Sequence, residues 1–476
     1  MSSPLRPPIR ERAADLAHAH TARTLQAEHL DKGALYKSLI TLAVPIMLSN
    51  LLQMLYNLVD AFFLGRIGKE AVSAPAIAFN LIFFLSVFGL GFALAGTTLI
   101  SQSKGKGDQE KVDFYLGQTT SLLMMTSVVI ALVGTLSARW ILLALQVPED
   151  AFEPTYAYIS IIFAGLPFMF MSFVLQSAFQ GLGDSMTPLK VQLVTIIINV
   201  GLDPIFIFGW GPIPRMETAG AATATIIARG IGSVVALWIL LSGRAGMKLK
   251  LQNLKPRREA VALLVKIGLP AALGQGISAF GFTVLQGVVN GFGTAVVAAF
   301  GVANRIIGLF NMPAIGFSRA TAALVGQSLG AKNREAAVTV VKQSVATMFV
   351  FISISMTFIF FFGNSVVRFF VNDAEVIAYG ADLFRIVSVS VVAFVLFTVI
   401  NGAFQGGGDT KPVMVLNIAR LWVLRVPFAV LFAVILNWGP NGIWWAMFIS
   451  NFTIAAVGFY ILSRGHWLHK LDPDAI

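Results

Sequence analysis

The chain has 476 residues, of which 57% are hydrophobic and 12% charged, and its mean hydropathy of +0.79 excludes an ordinary soluble protein. It contains no cysteine, which excludes disulfides and thiol chemistry. Its formal net charge of +11 would suit a nucleic-acid-binding protein, but the basic residues collect in alternate loops between apolar segments, so we expect no nucleic-acid partner.

Twelve apolar segments, each long enough to cross a bilayer, follow a polar stretch of 33 residues. That first stretch lacks the apolar core of a signal peptide, so residues 1–33 are predicted to form a cytoplasmic tail. The spans are predicted near residues 38–64, 70–101, 114–137, 153–180, 188–209, 218–241, 261–288, 295–325, 337–361, 376–404, 413–435 and 441–463. The predicted fold is therefore an all-α integral membrane protein with twelve transmembrane helices.

The two halves of the chain are copies of one another, separated by a basic polar segment at 243–260. Adding 225 to the residue number carries Gln102 onto Gln327. The same offset carries the AFQG motif at 178–181 onto AFQG at 403–406. Because each copy has an even number of spans, both have the same orientation, and we predict two pseudo-symmetric six-helix bundles.

The repeat and the charge distribution together predict the domain organisation and the topology. The N-lobe is predicted to comprise residues 34–242 and the C-lobe residues 261–465, with a second tail at 466–476. Both termini and the 243–260 linker are predicted to be cytoplasmic, because 23 of the 34 basic residues fall on their side and five on the other. The chain is thus expected to lie in the plasma (inner) membrane, where two lobes around a central cleft suit alternating access.

Two carboxylates interrupt the apolar spans, Asp60 in the first and Asp203 in the fifth. A charged carboxylate in hydrocarbon costs about 3 kcal/mol, so such a residue is by default functional. The repeat places Leu285 at the position of Asp60 and, with the register slipped by one, Pro427 at that of Asp203. Scaffold residues are duplicated and the acids are not, which favours a coupling site in the N-lobe alone.

Polar residues accompany both acids at helical spacing. Gln53, Tyr56 and Asp60 follow one another at intervals of three and four, and Asn199 precedes Asp203 by one turn. Two close carboxylates cannot both stay ionised cheaply, so the acids are expected to titrate as a unit or to hold Na⁺ together with Asn199.

The prolines and the histidines give two further predictions, one on helix bending and one on chemistry. Pro45 and Pro204 weaken the first and fifth spans, as helices that bend during transport would require. All five histidines lie in the two tails, so no enzyme activity, metal site or cofactor is expected beyond the coupling ion.

The first span reads P…QxxYNxVDxxFxGRxG from Pro45 to Gly68, and the fifth reads NxxxDP from Asn199 to Pro204. With these motifs at these places in a twelve-span repeat, the region from about Leu35 to Arg464 resembles the multidrug and toxic compound extrusion (MATE) family. The lack of an acid on the seventh span resembles its prokaryotic DNA-damage-inducible branch.

The resemblance implies an efflux antiporter that exports organic cations or amphipathic drugs in exchange for protons or sodium, acting as a monomer. It also implies which residues line the N-lobe cavity, namely Gln53, Tyr56, Gln176, Asn199 and Asp203. A threonine of the sixth span contributes in this family, and Thr225 is preferred here over Thr223.

Two arginines within the C-lobe spans keep an alternative open. Arg305 and Arg425 would give the cleft a cationic character, which suits a flippase for a lipid-linked or amphipathic lipid substrate, a function found in the same wider superfamily.

Overall fold

The computed structural model describes residues 31–243 and 246–471. These residues form thirteen helices and two short 3₁₀ turns. The helices are α1 Lys32–Gly65, α2 Lys69–Lys106, α3 Gln109–Ala144, α4 Glu149–Ala164, α5 Leu166–Leu182, α6 Met186–Phe208, α7 Glu217–Ser242, α8 Arg258–Asn290, α9 Thr294–Gly330, α10 Arg334–Phe370, α11 Ala374–Gly406, α12 Thr410–Ile435 and α13 Pro440–Ser463. Most of the predicted N-terminal tail, part of the linker and the last five residues lie outside the described residues.

Among the described residues, eleven helices are long and apolar enough to cross a membrane. The pair α4 and α5 passes the same test when taken together, with a bend of 49° between its two parts. Pro167 in the first turn of α5 explains the break. Proline has no backbone N–H to donate, and its ring clashes with the preceding turn, so α4 cannot continue through it. The predicted all-α fold with twelve transmembrane helices is confirmed.

Helix starts show the internal repeat in their capping residues. Asp108 caps α3 by accepting from the Lys111 N–H at 3.0 Å, and its copy Asn333 caps α10 by accepting from the Ala336 N–H at 2.9 Å. An Asp or Asn at this position satisfies one of the free amides of the first turn, which fixes where the helix begins. The 225-residue offset is therefore kept in detail at the start of both helices.

The same offset relates the contacts between helices within each lobe. Ser185 Oγ donates to the Leu42 carbonyl at 2.7 Å, and Thr410 Oγ1 donates to the Ile267 carbonyl at 2.6 Å. Each residue of the second pair is the copy of one in the first. Both hydroxyls tie the start of one helix to another helix of the same repeat, so the two six-helix bundles are assembled alike.

Two glutamines join the lobes where α2, α5, α9 and α11 end. Gln102 Nε2 donates to the Gly406 carbonyl at 2.8 Å, and its copy Gln327 Nε2 donates to the Gly181 carbonyl at 3.0 Å. We call the end of the molecule that holds these contacts the basic end, because the tails, linker and loops predicted on that side together carry 23 of the 34 lysines and arginines.

Two glycines allow the lobes to approach at the same place. A Cβ added at Gly105 would lie 1.9 Å from the Gln327 carbonyl oxygen, and one at Gly330 would lie 2.0 Å from the Gln102 carbonyl oxygen. No side chain fits in such a gap, so glycine is required at both positions in this conformation. We call the contacts of Gln102, Gly105, Gln327 and Gly330 the seal.

The basic halves of α1 and α8 strengthen the closure by crossing between lobes. Leu35 and Leu39 of α1 belong to the hydrophobic core of the C-terminal repeat, whereas Leu264 and Ile267 of α8 belong to that of the N-terminal repeat. Among the described residues, the hydrogen bonds between lobes lie in the basic half of the molecule. This conformation is therefore closed at the basic end.

Candidate functional site

The first and fifth spans bring the two intramembrane acids of the N-lobe together. Asp60 of α1 and Asp203 of α6 lie close enough to act on each other electrostatically, and Tyr56 lies one turn before Asp60 on its own helix. Asp203 is fully buried and Asp60 partly so. We call Asp60 and Asp203 the acid pair.

Three further polar groups complete the cluster around the acid pair. The Tyr56 hydroxyl and Thr225 Oγ1 of α7 are 2.7 Å apart, and Asn199 Nδ2 donates to Asp203 Oδ1 at 3.3 Å. Thr223, the other threonine considered, instead donates to the Ala219 carbonyl of its own helix at 2.8 Å. Thr225 thus joins the cluster through Tyr56, whereas Thr223 bonds to its own helix.

Three oxygens in this cluster are buried without a hydrogen-bond partner: Asp60 Oδ1, Asp203 Oδ2 and Asn199 Oδ1. A buried acceptor left unpaired costs about 1–3 kcal/mol. Binding of a proton or a cation at these oxygens would remove that cost. A proton shared by the acid pair would do so, and so would a small hard cation, for which carboxylate and amide oxygens are suitable ligands. The residues present fit either coupling ion.

An apolar cluster lies beside the site, on the side away from the basic end. Leu64, Ile207 and Ala221 pack together from α1, α6 and α7. Each lies four positions, or about one helical turn, from Asp60, Asp203 or Thr225 respectively. Packed helices thus flank the acid pair on this side.

The structure adds two residues that sequence reasoning did not assign to this site. The Arg229 guanidinium of α7 lies close enough to act electrostatically on Asp60 and Tyr56, and Tyr158 of α4 faces the same charges. Arg229 follows Thr225 by four positions and therefore shares its helix face, a signal that was available in the sequence. No sequence pattern links Tyr158 to the site, because it lies on α4, a helix that carries none of the other cluster residues.

The remaining predicted cavity residues lie apart from the cluster. Gln53 is exposed, and its Nε2 donates to Asn57 Oδ1 of the same helix at 3.4 Å. Gln176 Oε1 accepts from Arg319 Nη1 of the C-lobe at 3.3 Å, so it is engaged in a contact between lobes. Tyr56, Asn199 and Asp203 are the predicted cavity residues that meet in the cluster.

The proline-containing helices are continuous through their prolines. Pro45 lies inside α1 and Pro204 inside α6, one residue beyond Asp203. Each proline removes one backbone hydrogen bond from the helix interior, which lowers the cost of bending there.

Twelve membrane spans in two repeated lobes, closed at one end and carrying an acid pair in one lobe, form the architecture of a polytopic membrane transporter. The MatE family model matches residues 45–205 and 270–431, which span most of both repeats. The chain therefore belongs to the MatE family, that of the multidrug and toxic compound extrusion transporters.

Relatives and solved structures agree with this assignment over nearly the whole chain. The chain is 28% identical to the probable multidrug resistance protein YpnP of Bacillus subtilis (strain 168), over 93% of its own length and 98% of the relative's. It is 25% identical to the probable multidrug resistance protein NorM of Thermotoga maritima, over 90% and 93%. A crystal structure of MATE in the bent conformation shares the fold, with a TM-score of 0.86, 24% identity and coverage of 94% and 98%.

Proposed function

We propose that this protein is a secondary active antiporter of the plasma (inner) membrane, which exports amphipathic or cationic drugs in exchange for protons. The observation that carries the proposal is the acid pair, buried in one lobe with unpaired oxygens beside Asn199. Protonation of such a pair changes both its charge and its hydrogen bonding, so the pair can link ion binding to the shape of the N-lobe. Na⁺ at Asp60, Asn199 and Asp203 is the alternative coupling ion.

The proposed cycle follows from which end of the molecule is closed. With the basic end on the cytoplasmic side, this conformation is sealed toward the cytoplasm, so the step that follows is exchange with the outside. A proton entering from outside lowers the negative charge of the acid pair by one and removes an acceptor for a cationic drug. Bending of α1 and α6 near Pro45 and Pro204 then shrinks the N-lobe cavity and displaces the drug outward.

The driving force available is sufficient for accumulation against a gradient. Each pH unit supplies about 1.4 kcal/mol per proton, and a potential of 100 mV supplies about 2.3 kcal/mol per charge moved. Exchange of one proton for one drug molecule at a gradient of one pH unit therefore supports roughly tenfold accumulation.

The coupling ion is tested by ethidium transport in proteoliposomes. We expect a pH gradient without sodium to drive ethidium transport well above the level of protein-free vesicles. Transport that fails under a pH gradient and appears on addition of a sodium gradient would reject proton coupling and make Asp60, Asn199 and Asp203 sodium ligands.

The same vesicles separate drug export from lipid flipping. Transbilayer movement of a fluorescent phospholipid analogue, without any ethidium transport under either gradient, would favour the flippase. Arg305 and Arg425 are the residues on which this alternative depends; Arg305 is exposed and Arg425 is buried.

Topology is tested by labelling, for which a chain without cysteine is well suited. Lys255→Cys in the linker is expected to react only with a membrane-permeant maleimide in intact cells, because the positive-inside rule places it in the cytoplasm. Arg215→Cys, in the loop between α6 and α7, is expected to react with an impermeant maleimide. Labelling of both from outside would contradict the orientation.

A further inference from the structure

A short π-helical stretch of α12, Ala419–Arg425, places two arginines inside the C-lobe. Arg420 is 4% exposed and Arg425 is 2% exposed. In an α-helix of about 3.6 residues per turn, residues five apart point to different sides. The i to i+5 hydrogen bonding of a π-helix aligns them more closely, and such segments are frequent at functional sites.

Within the described part of the chain, the hydrogen-bond partners of Arg425 are all neutral. Its Nε donates to Ser450 Oγ at 3.0 Å, and its Nη2 donates to Asn451 Oδ1. Asn451 Nδ2 in turn donates to Ser390 Oγ of α11 at 3.2 Å. These groups hold the guanidinium in place without compensating its charge.

Arg420 is still less well satisfied. Its Nε is buried without a hydrogen-bond partner. Its guanidinium lies 4.2 Å from the ring centroid of Phe394 and 5.6 Å from that of Phe282, the ring that also lies 5.8 Å from Arg425. The charge that acts on it most directly is Arg425, which has the same sign.

No carboxylate compensates the two arginines among the described residues. Away from the helix ends, the one acid in the C-lobe spans that the structure describes is Asp382 of α11, and it forms no ion pair with either arginine. Burying a charge without a partner costs several kcal/mol, and a second like charge beside it adds to that cost. Binding of an anion between the two arginines would offset this cost.

Arg425 lies at the depth of the acid pair of the other lobe, and Arg420 lies five residues nearer the basic end. Arg425 is two residues before Pro427, which the repeat aligns with Asp203. The two lobes thus carry opposite charge at equivalent depths, acidic in the N-lobe and basic in the C-lobe.

We propose that Arg420 and Arg425 form a binding site for the oxyanion of an aromatic amphiphile, a carboxylate, sulfonate or phosphate group. Guanidinium groups match the geometry of such oxyanions and bind them with charge-assisted hydrogen bonds. Phe282 and Phe394 flank the arginines and contact the aromatic part, and Phe282 is 40% exposed, which leaves a route of entry. This site goes beyond the proposed cation-exchange function, because it extends the ligand range to molecules that carry a negative charge.

The site is tested by calorimetric titration of purified protein in phosphatidylcholine nanodiscs with 1-naphthalenesulfonate. We expect the wild type to bind the sulfonate at least tenfold more tightly than Arg420→Gln. This variant carries the test because Arg420 makes no side-chain hydrogen bond whose loss would unfold the lobe. Arg385→Gln, an exposed arginine on α11, is the matched control and should bind like the wild type. Equal affinity in all three proteins, or no binding by the wild type, would overturn the proposal.

Two further arms identify the source of the anion and separate this site from the coupling site. Weaker sulfonate binding in nanodiscs with phosphatidylglycerol would identify lipid phosphate as a competing ligand of these arginines, whereas unchanged binding would indicate a free solute; both support the site. Asp203→Asn should bind the sulfonate like the wild type. A wild-type protein that binds the sulfonate but fails to exchange protons for ethidium would refute the proposed antiport and leave this site standing.

Discussion

Asp203→Asn is expected to reduce proton-driven ethidium transport in proteoliposomes to the level of protein-free vesicles. The substitution keeps the size of the side chain and an oxygen that can accept from Asn199, but it removes the exchangeable proton from a fully buried position. Asp60→Asn should have the same effect, because two carboxylates that titrate together lose their coupling when either is made permanently neutral.

Leu285→Asn is the matched control, since Leu285 occupies the position in α8 that Asp60 occupies in α1. Leu285 is fully buried in the hydrophobic core of the C-terminal repeat, so an amide there should lower the melting temperature. The protein that remains folded should nevertheless transport with wild-type dependence on pH. Proton-dependent transport at the wild-type rate by Asp60→Asn and Asp203→Asn would place the coupling site elsewhere.

Gly105→Val is expected to lower transport at least tenfold by preventing closure of the basic end. A Cβ at this position would lie 1.9 Å from a backbone oxygen of Gln327, which cannot move aside as a flexible side chain would. Gly330→Val should act alike, because it is the copy of Gly105 and meets the Gln102 carbonyl. Neither substitution touches the acid pair, so the loss should arise from the conformational equilibrium.

Spin labels report this equilibrium directly. Glu110 and its copy Glu335 are exposed in the first turns of α3 and α10, and cysteines there are the only ones in the chain. We expect Gly105→Val to shift the distance distribution between the two labels to longer values. Gly308→Val on α9, where an added Cβ meets nothing within 4 Å, should change neither the label-to-label distance distribution nor the transport rate. Wild-type distances in Gly105→Val would show that the seal is not needed for closure.

The repeat and the acids were predictable because both can be recognised in the sequence itself. Asp60 and Asp203 stand out against apolar spans, and the 225-residue offset is visible without any structure. The function of the duplicated glutamines was not predictable. Gln102 and Gln327 are recognisable as copies, but only the packing of one lobe against the other shows that each binds a carbonyl in the opposite lobe.

The same distinction explains the other differences between sequence and structure. Gln176 was assigned to the cavity by resemblance, and its contact with Arg319 depends on how α5 and α9 approach. The relation of Arg420 to Arg425 depends on a π-helical stretch that no periodicity in the sequence indicates, since five residues apart is not a helical repeat. Contacts between residues far apart in the sequence depend on the three-dimensional packing of the helices and cannot be predicted from local patterns.

The central claim, that the acid pair exchanges a proton for substrate, is tested most directly by proton release on binding. Ethidium is titrated into weakly buffered, detergent-solubilised protein while a pH indicator records released protons. The account predicts about one proton released per ethidium bound by the wild type and none by Asp203→Asn, because competition between ligand and proton links the two equilibria. Ethidium binding by the wild type without proton release, or equal release by both proteins, would contradict it.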